Sequence, residues 1–341
     1  MNFKKTTSII LAAATLLSLL AILSCSVSGR YTEGEGELKV VCTNFPPFDF
    51  ARVVGGDKVT VTLLQDSGAD LHNYAPTSKD IITVKNADIF VCVGGSSDDA
   101  WLDGVLSSAN NSALNVFKLT EHSTLLAVPE TEEEHDHDHD HDHAGEDEHD
   151  EHDEHGESCD HDHSHDEHVW TSLKNAASIV SALAETFAEA DSANGDYYRA
   201  NAAAYIEKLD ALDAQYEEAI RAATHKTLIF ADRFPFVYMT EDYGLGYHAA
   251  FSGCSTEVNA SFETTSRLIE AVGEEGVTKI LITDTAPENA PAVANTVASS
   301  TGAGILSMNS CQSVTRAQIS DGATYLEIMT ENLETLKKAL S

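Results

Sequence analysis

Positive charge is what this sequence has least of. Its 341 residues include 20 Lys and Arg against 56 Asp and Glu, for a formal net charge of −36. Such a surface repels phosphate backbones and anionic headgroups, which excludes nucleic acid and acidic lipid as partners and leaves a cation as the compatible ligand. Membrane-spanning runs are also missing. The apolar stretch Ile9 to Leu23 holds fifteen residues, where a spanning helix needs ~20. With Lys4 and Lys5 ahead of it and Ser24 and Cys25 behind, it reads as an export signal over residues 1–24. The "AILSC" junction resembles a bacterial lipobox, which makes Cys25 a lipid anchor and the mature chain extracytoplasmic, tethered to the bacterial membrane in the periplasm or at the cell surface. Ordinary cleavage near Cys25 is the alternative. Hydrolase signatures are absent as well: there is no HExxH helix and no nucleophile elbow, so no enzyme is expected.

Cysteine is sparse, with six in the chain. Cys25 is assigned to lipid, and Cys159 lies in a His-rich run. Cys42 with Cys92, and Cys254 with Cys311, are candidate disulfides that export would permit, and four buried free thiols are the other reading.

What is present is an alternation of short apolar runs and helical stretches. "LKVVCTNF", "KVTVTLLQ", "ADIFVCVGG" and "ALNVFKL" read as strands covered on both faces, and "KTLIFAD", "VTKILITD" and "AGILSMN" form a second set. Between the sets, Tyr198, Ala202, Tyr205, Leu209, Leu212, Tyr216 and Ile220 recur at three or four, the spacing of one stiff helix of ~40 Å. The expected fold is α/β, with two lobes of mostly parallel sheet joined by that helix. The expected boundaries are a flexible tether over 25–37, a first lobe over 38–193, a linking helix over 194–223 and a second lobe over 224–341.

An acidic loop over 129–167 interrupts the first lobe. Residues 135 to 168 hold twelve of the sixteen histidines, and Glu130 to His168 holds twenty Asp or Glu with no Lys or Arg, more than half of the net charge. A run without apolar residues buries no core, so disorder without metal is expected, with weak and fast binding of several divalent ions. Three polar elements instead sit at predicted strand ends, where open α/β sheets place ligands: "GADLHNYAPT" with His72, "DEHVWTS" with His168, and "MNSCQSV" with Asn309. Asp284, ending "KILITD", is a further candidate carboxylate, and His248 in "GLGYHAAF" reads as a strand or rim histidine.

These elements resemble the zinc/manganese-type solute-binding proteins of metal ABC transporters. The resemblance rests on "GADLHNYAPT", a following "AD", "HVW" after an acidic His-rich insertion, and "DYGL", and it covers Leu38 to Leu340. It implies a metal site in the cleft between the lobes, delivery to an ABC permease in the membrane, and a monomer. It also implies His72 and His168 as first-lobe ligands. Imidazole ligands favour Zn²⁺, with Mn²⁺ second because it prefers more oxygen. Two second-lobe positions depart from the family pattern. Arg233 stands where a His or Glu ligand belongs, and a guanidinium cannot coordinate metal; Asn309 stands where an Asp is usual. Arg233 either pairs with a carboxylate such as Glu263 or Asp284, leaving two histidines with Asn309, Asp284 or water as ligands, or it faces an anion. The alternative function is a surface metal reservoir or adhesin acting through the His-rich loop.

Overall fold

The apolar runs of the first half become β1 (Tyr31–Glu33), β2 (Leu38–Cys42), β3 (Val59–Leu63), β4 (Ile89–Cys92) and β5 (Asn115–Lys118), in a sheet ordered β1-β3-β2-β4-β5. The computed structural model describes residues 30–66, 74–127, 165–253, 255 and 259–341. The signal segment, Cys25, His72, Cys159, Cys254 and the run from 128 to 164 lie outside the described residues. β2 pairs in parallel with both neighbours, Val40 lying opposite Val61 and Ile89, and β4 pairs in parallel with β5. Helices α1 (Phe45–Gly55), α2 (Ser78–Lys85), α3 (Ser96–Asp99) and α4 (Leu102–Ala109) connect these strands. Pro46 and Pro47 occupy the first turn of α1, where their missing N–H groups cost nothing. A capping box between Thr77 and Asp80 opens α2.

Two helices follow, α5 (Leu173–Ala190) and α6 (Gly195–Ala222). The 28-residue α6 buries Tyr198, Ala202, Tyr205, Leu209, Leu212, Tyr216 and Ile220, the stripe its spacing predicts. It packs on α1 and α5 and also on α11 (Tyr325–Ala339) of the second half, where the Tyr216 hydroxyl donates to Met329 O at 2.5 Å. One rod thus braces both halves.

The second half carries β6 (Thr227–Phe234), β7 (Gly246–Ser252), β8 (Lys279–Thr283) and β9 (Gly304–Met308), all parallel and ordered β7-β6-β8-β9. Helices α7 (Val237–Tyr243), α8 (Phe262–Glu275), α9 (Ala292–Thr301) and α10 (Arg316–Ser320) complete it. Ile229, Ala231, Ile280 and Ile282 of the sheet pack with Leu268, Ala294 and Val297 of α8 and α9. In each sheet the strand order reverses once, between β2 and β4 and between β6 and β8. The carboxyl ends at such points form the crevice where α/β sheets bind ligands.

One expectation is corrected and one open pair of readings is decided. The segment 25–37, expected to be a tether, contains strand β1, because Thr32 bonds Thr62 at 3.1 Å, Gly36 N donates to Val59 O at 3.3 Å, and Glu33 pairs with Arg52 at 3.4 Å. Cys42, Cys92 and Cys311 are buried free thiols, so neither suggested disulfide forms. Register explains the first pair: Cys42 lies opposite Val91, which turns Cys92 to the other face of the sheet.

Candidate metal centre

The approach to His168 is built by residues on either side of the His-rich run. Ala127 and His165 form an antiparallel bridge, and Asp166 N donates to Leu126 O at 3.0 Å. The Tyr238 hydroxyl of α7 accepts from Leu126 N at 3.3 Å and donates to Asp166 O at 2.5 Å. The two flanks of the run are therefore joined to each other and to the second half. Immediately beyond, Asp166, Glu167 and His168 are buried. Ser97 N donates to Glu167 Oε2 at 3.1 Å, and the Ser97 hydroxyl donates to Oε1.

His168 is held at every polar atom. Asp166 Oδ1 accepts from its backbone N–H at 2.8 Å and lies 2.9 Å from Nδ1, while Thr171 N and Oγ1 donate to its carbonyl. A carboxylate only accepts, so Nδ1 carries a proton and Nε2 is the atom offered to the cleft. Nε2 lies 3.2 Å from Oε1 of Gln312, a buried side chain from the loop after β9. Trp170 stands edge-on to the imidazole at 5.4 Å. On the opposite flank, a Cβ at Gly253 would come within 3.2 Å of His168 Cε1 and 2.9 Å of Phe234 O, so no side chain fits there. The imidazole thus sits beside the carboxyl ends of β6 and β7.

Burial alone would depress the His168 pKa, but Asp166, Glu167 and Gln312 outweigh it and hold the pKa above the ordinary imidazole value. When His168 is protonated, Nε2 donates to Gln312 Oε1. Deprotonated, Nε2 offers a lone pair toward the Gln312 carboxamide, whose oxygen and Nε2 could share one cation. Two donors on one tetrahedral ion with bonds of ~2.0–2.1 Å stand ~3.3 Å apart, so the spacing fits.

Asp284 and Asn309, selected from the sequence as candidate ligands, have their side-chain oxygens engaged elsewhere. Asp284 accepts from Ser310 N at 2.7 Å and from the Ser310 hydroxyl at 2.6 Å. Asn309 Oδ1 accepts from Cys311 N at 2.8 Å, while Asn332 brackets the Asn309 backbone. Cys311 takes a left-handed φ of 66°, Gln312 N donates to Ser310 Oγ at 3.3 Å, and Trp170 Nε1 donates to Ser310 O at 2.7 Å. These residues build the turn that aims Gln312 at His168. Gln312 is the residue that the sequence reading missed.

Arg233, near the end of β6, exerts its charge on Asp232 and Asp284. Burial raises both carboxyls, and Arg233 lowers them. Among the described residues, no three His, Cys, Asp or Glu side chains form a metal cage. Gln65, buried just past β3, has no partner for either carboxamide atom among the described residues, the kind of group that water or a ligand completes.

One buried acid nearby sets a stability prediction. Asp98 accepts from Gly94 N at 2.9 Å, and among the described residues its Oδ1 has no hydrogen-bond partner. Burial, reinforced by the Glu167 charge, pushes its pKa up to about 6. An acid with a raised native pKa stabilises fully below its unfolded value and loses that contribution as pH rises through the native one. Stability should therefore fall between pH ~4 and ~6, by about 3 kcal/mol at ~1.36 kcal/mol per pKa unit. Asp98→Asn should flatten this slope and stabilise the protein at pH 7 by ~1–2 kcal/mol. Denaturant melts of both proteins at several pH values would check it, and equal slopes would contradict it.

Two α/β sheets are joined by a stiff helix, with His168 facing Gln312 near their carboxyl ends, the arrangement of a cleft-type binding fold. The chain belongs to the family described as ZnuA, zinc-uptake complex component A, periplasmic, whose model matches residues 40–339. It is 30% identical over 334 residues to the zinc-binding lipoprotein AdcA of Streptococcus pneumoniae, covering 98% of this chain and 61% of that protein. The chain thus spans less than two thirds of that relative. It is 29% identical to the high-affinity zinc uptake system protein ZnuA of Bacillus subtilis, covering 99% of this chain and 98% of the relative. Among solved structures, the Zn(II)-bound ZnuA-like domain of S. pneumoniae AdcA is similar at a TM-score of 0.68 and 26% identity, covering 89% of this chain and 99% of that domain. The laminin-binding protein Lmb of Streptococcus agalactiae, at a TM-score of 0.69 and 23% identity over 89% of this chain and 100% of its own, shares the fold.

Proposed function

We propose that this chain is the extracytoplasmic solute-binding component of an ABC transporter, capturing Zn²⁺ in the cleft and delivering it to a membrane permease. The observation that carries this reading is the pair His168 Nε2 and Gln312 Oε1, 3.2 Å apart, with Nδ1 committed to Asp166. A carboxylate behind a ligating imidazole fixes its tautomer and raises its basicity, as metal sites require. His72, nine residues after the end of β3 at Leu63, is proposed as the second imidazole ligand. Asp284 and Asn309 support the loop that presents Gln312. Mn²⁺ is the second choice of cargo, since two imidazoles suit the softer ion. Among the described residues no helix is long and apolar enough to cross a membrane. A lipid anchor at Cys25 would hold the protein beside its permease, as a monomer. The His-rich run would collect ions near the cleft mouth.

A reservoir or adhesin acting through that run is the second reading, favoured by Arg233 at a family ligand position. A zinc titration against a chromophoric chelator separates the two, using protein from which residues 132–164 are excised. One tight site per chain supports the cleft, whereas no tight site makes the His-rich run the working element.

A further inference from the structure

The chain end of β3 is bolted to the second half. The ladder between β2 and β3 continues past the strand, with Leu64 N donating to Cys42 O and Gln65 N to Thr43 O, each at 2.9 Å. The next residue, Asp66, then leaves this sheet. Its carbonyl accepts from Arg316 N at 3.0 Å, and its carboxylate accepts from the Arg316 guanidinium. Arg316 opens α10, behind a capping box between Thr315 and Gln318 that fixes the turn. It lies four residues after Gln312, and Asp66 lies six residues before His72. The contact therefore joins the two segments that carry proposed ligands from opposite halves, at both backbone and side-chain level. With side-chain exposures of 11% for Asp66 and 30% for Arg316, the charges are shielded but reachable by salt.

We infer that Asp66 and Arg316 form a cross-cleft clasp that controls how fast the bound cation leaves, without coordinating it. The inference rests on the proposed zinc reading. A divalent ion held by ligands from both halves can escape only when the halves part locally, and this contact spans that division beside the Gln312 loop. Breaking it should raise the dissociation rate more than it lowers the association rate, because variants of one binding site differ mostly in how fast they release. Trp170 with Ser310 joins uncharged groups across the same division. The clasp is a partly exposed charge pair, so salt should speed release through it.

The test is stopped-flow release from the zinc-loaded full chain on mixing with excess chelator. Wild-type protein should show a fast phase from the His-rich run and a slow phase that is absent in His168→Ala. Arg316→Ala and Asp66→Asn should each speed the slow phase about tenfold, as loss of a partly shielded charge pair allows. The reversed pair, Asp66→Arg with Arg316→Asp, should recover most of the wild-type rate, with thermal melts showing each variant folded. Raising the salt from low to high should speed release from wild type and leave Arg316→Ala unchanged. A slow phase unaltered in both single variants overturns the clasp while leaving the zinc site intact. If wild type lacks a His168-dependent slow phase, the zinc reading fails, and the clasp's role with it.

Discussion

His168→Ala should abolish high-affinity zinc binding, weakening the cleft site by more than ~100-fold, since loss of even an outer partner of a metal ligand costs ~10–100-fold. The imidazole is the one ligand candidate whose every polar atom is accounted for: Nδ1 with Asp166, carbonyl with Thr171, Nε2 toward Gln312. Asp166→Asn should show the smaller loss, because it frees the tautomer without removing the donor. The proton and the ion compete for Nε2, and the native His168 pKa is raised. Its protonated form stabilises the metal-free fold below the unfolded value of ~6.5, and that contribution is lost as pH rises through the native pKa. Zinc affinity runs the other way: it should be complete at alkaline pH and begin to fall while the pH is still above ~6.5. Competition with a chelator of known affinity across pH would measure both effects. A His168→Ala protein that keeps its tight site would contradict the assignment.

Gln312→Glu should tighten zinc binding by ~10–100-fold. A carboxylate in place of a neutral carbonyl adds a full charge beside a divalent ion in a shielded site, where Coulomb terms are several-fold larger than in water. The gain is offset in the metal-free protein, which must then bury another anion near Asp166 and Glu167 and so should melt earlier. Asn309→Asp gives the contrast. Its oxygen already accepts from Cys311 N, a bond that aspartate preserves, so zinc affinity should change by no more than about threefold. Titrations of the two variants side by side separate the ligand from its support. An effect confined to Asn309→Asp would return Asn309 to the ion and remove Gln312 from it.

Much of the fold was legible because its signals are local and periodic. The parallel strands show as unalternated apolar runs, and the seven buried residues of α6 follow directly from spacing. Helix α1, which opens on Pro46 and Pro47, was not read from the sequence. The site was legible in part. His168 stood out beside Trp170 at a helix start. Gln312 carries no charge and no periodicity, and it meets His168 across 144 residues of sequence. Asn309 and Asp284 marked strand ends beside Gln312, where Asp284 grips Ser310 and Cys311 takes a positive φ. That geometry depends on hydrogen bonds between distant segments, which a single sequence does not display.

The most direct test of the central claim is anomalous scattering at the zinc edge from crystals of the zinc-loaded protein. A single strong peak at ~2.0–2.1 Å from His168 Nε2, with Gln312 Oε1 in the same coordination sphere, is the predicted result. A peak on the Asp232–Asp284 carboxylates beside Arg233, or anomalous signal confined to the His-rich run, would contradict it.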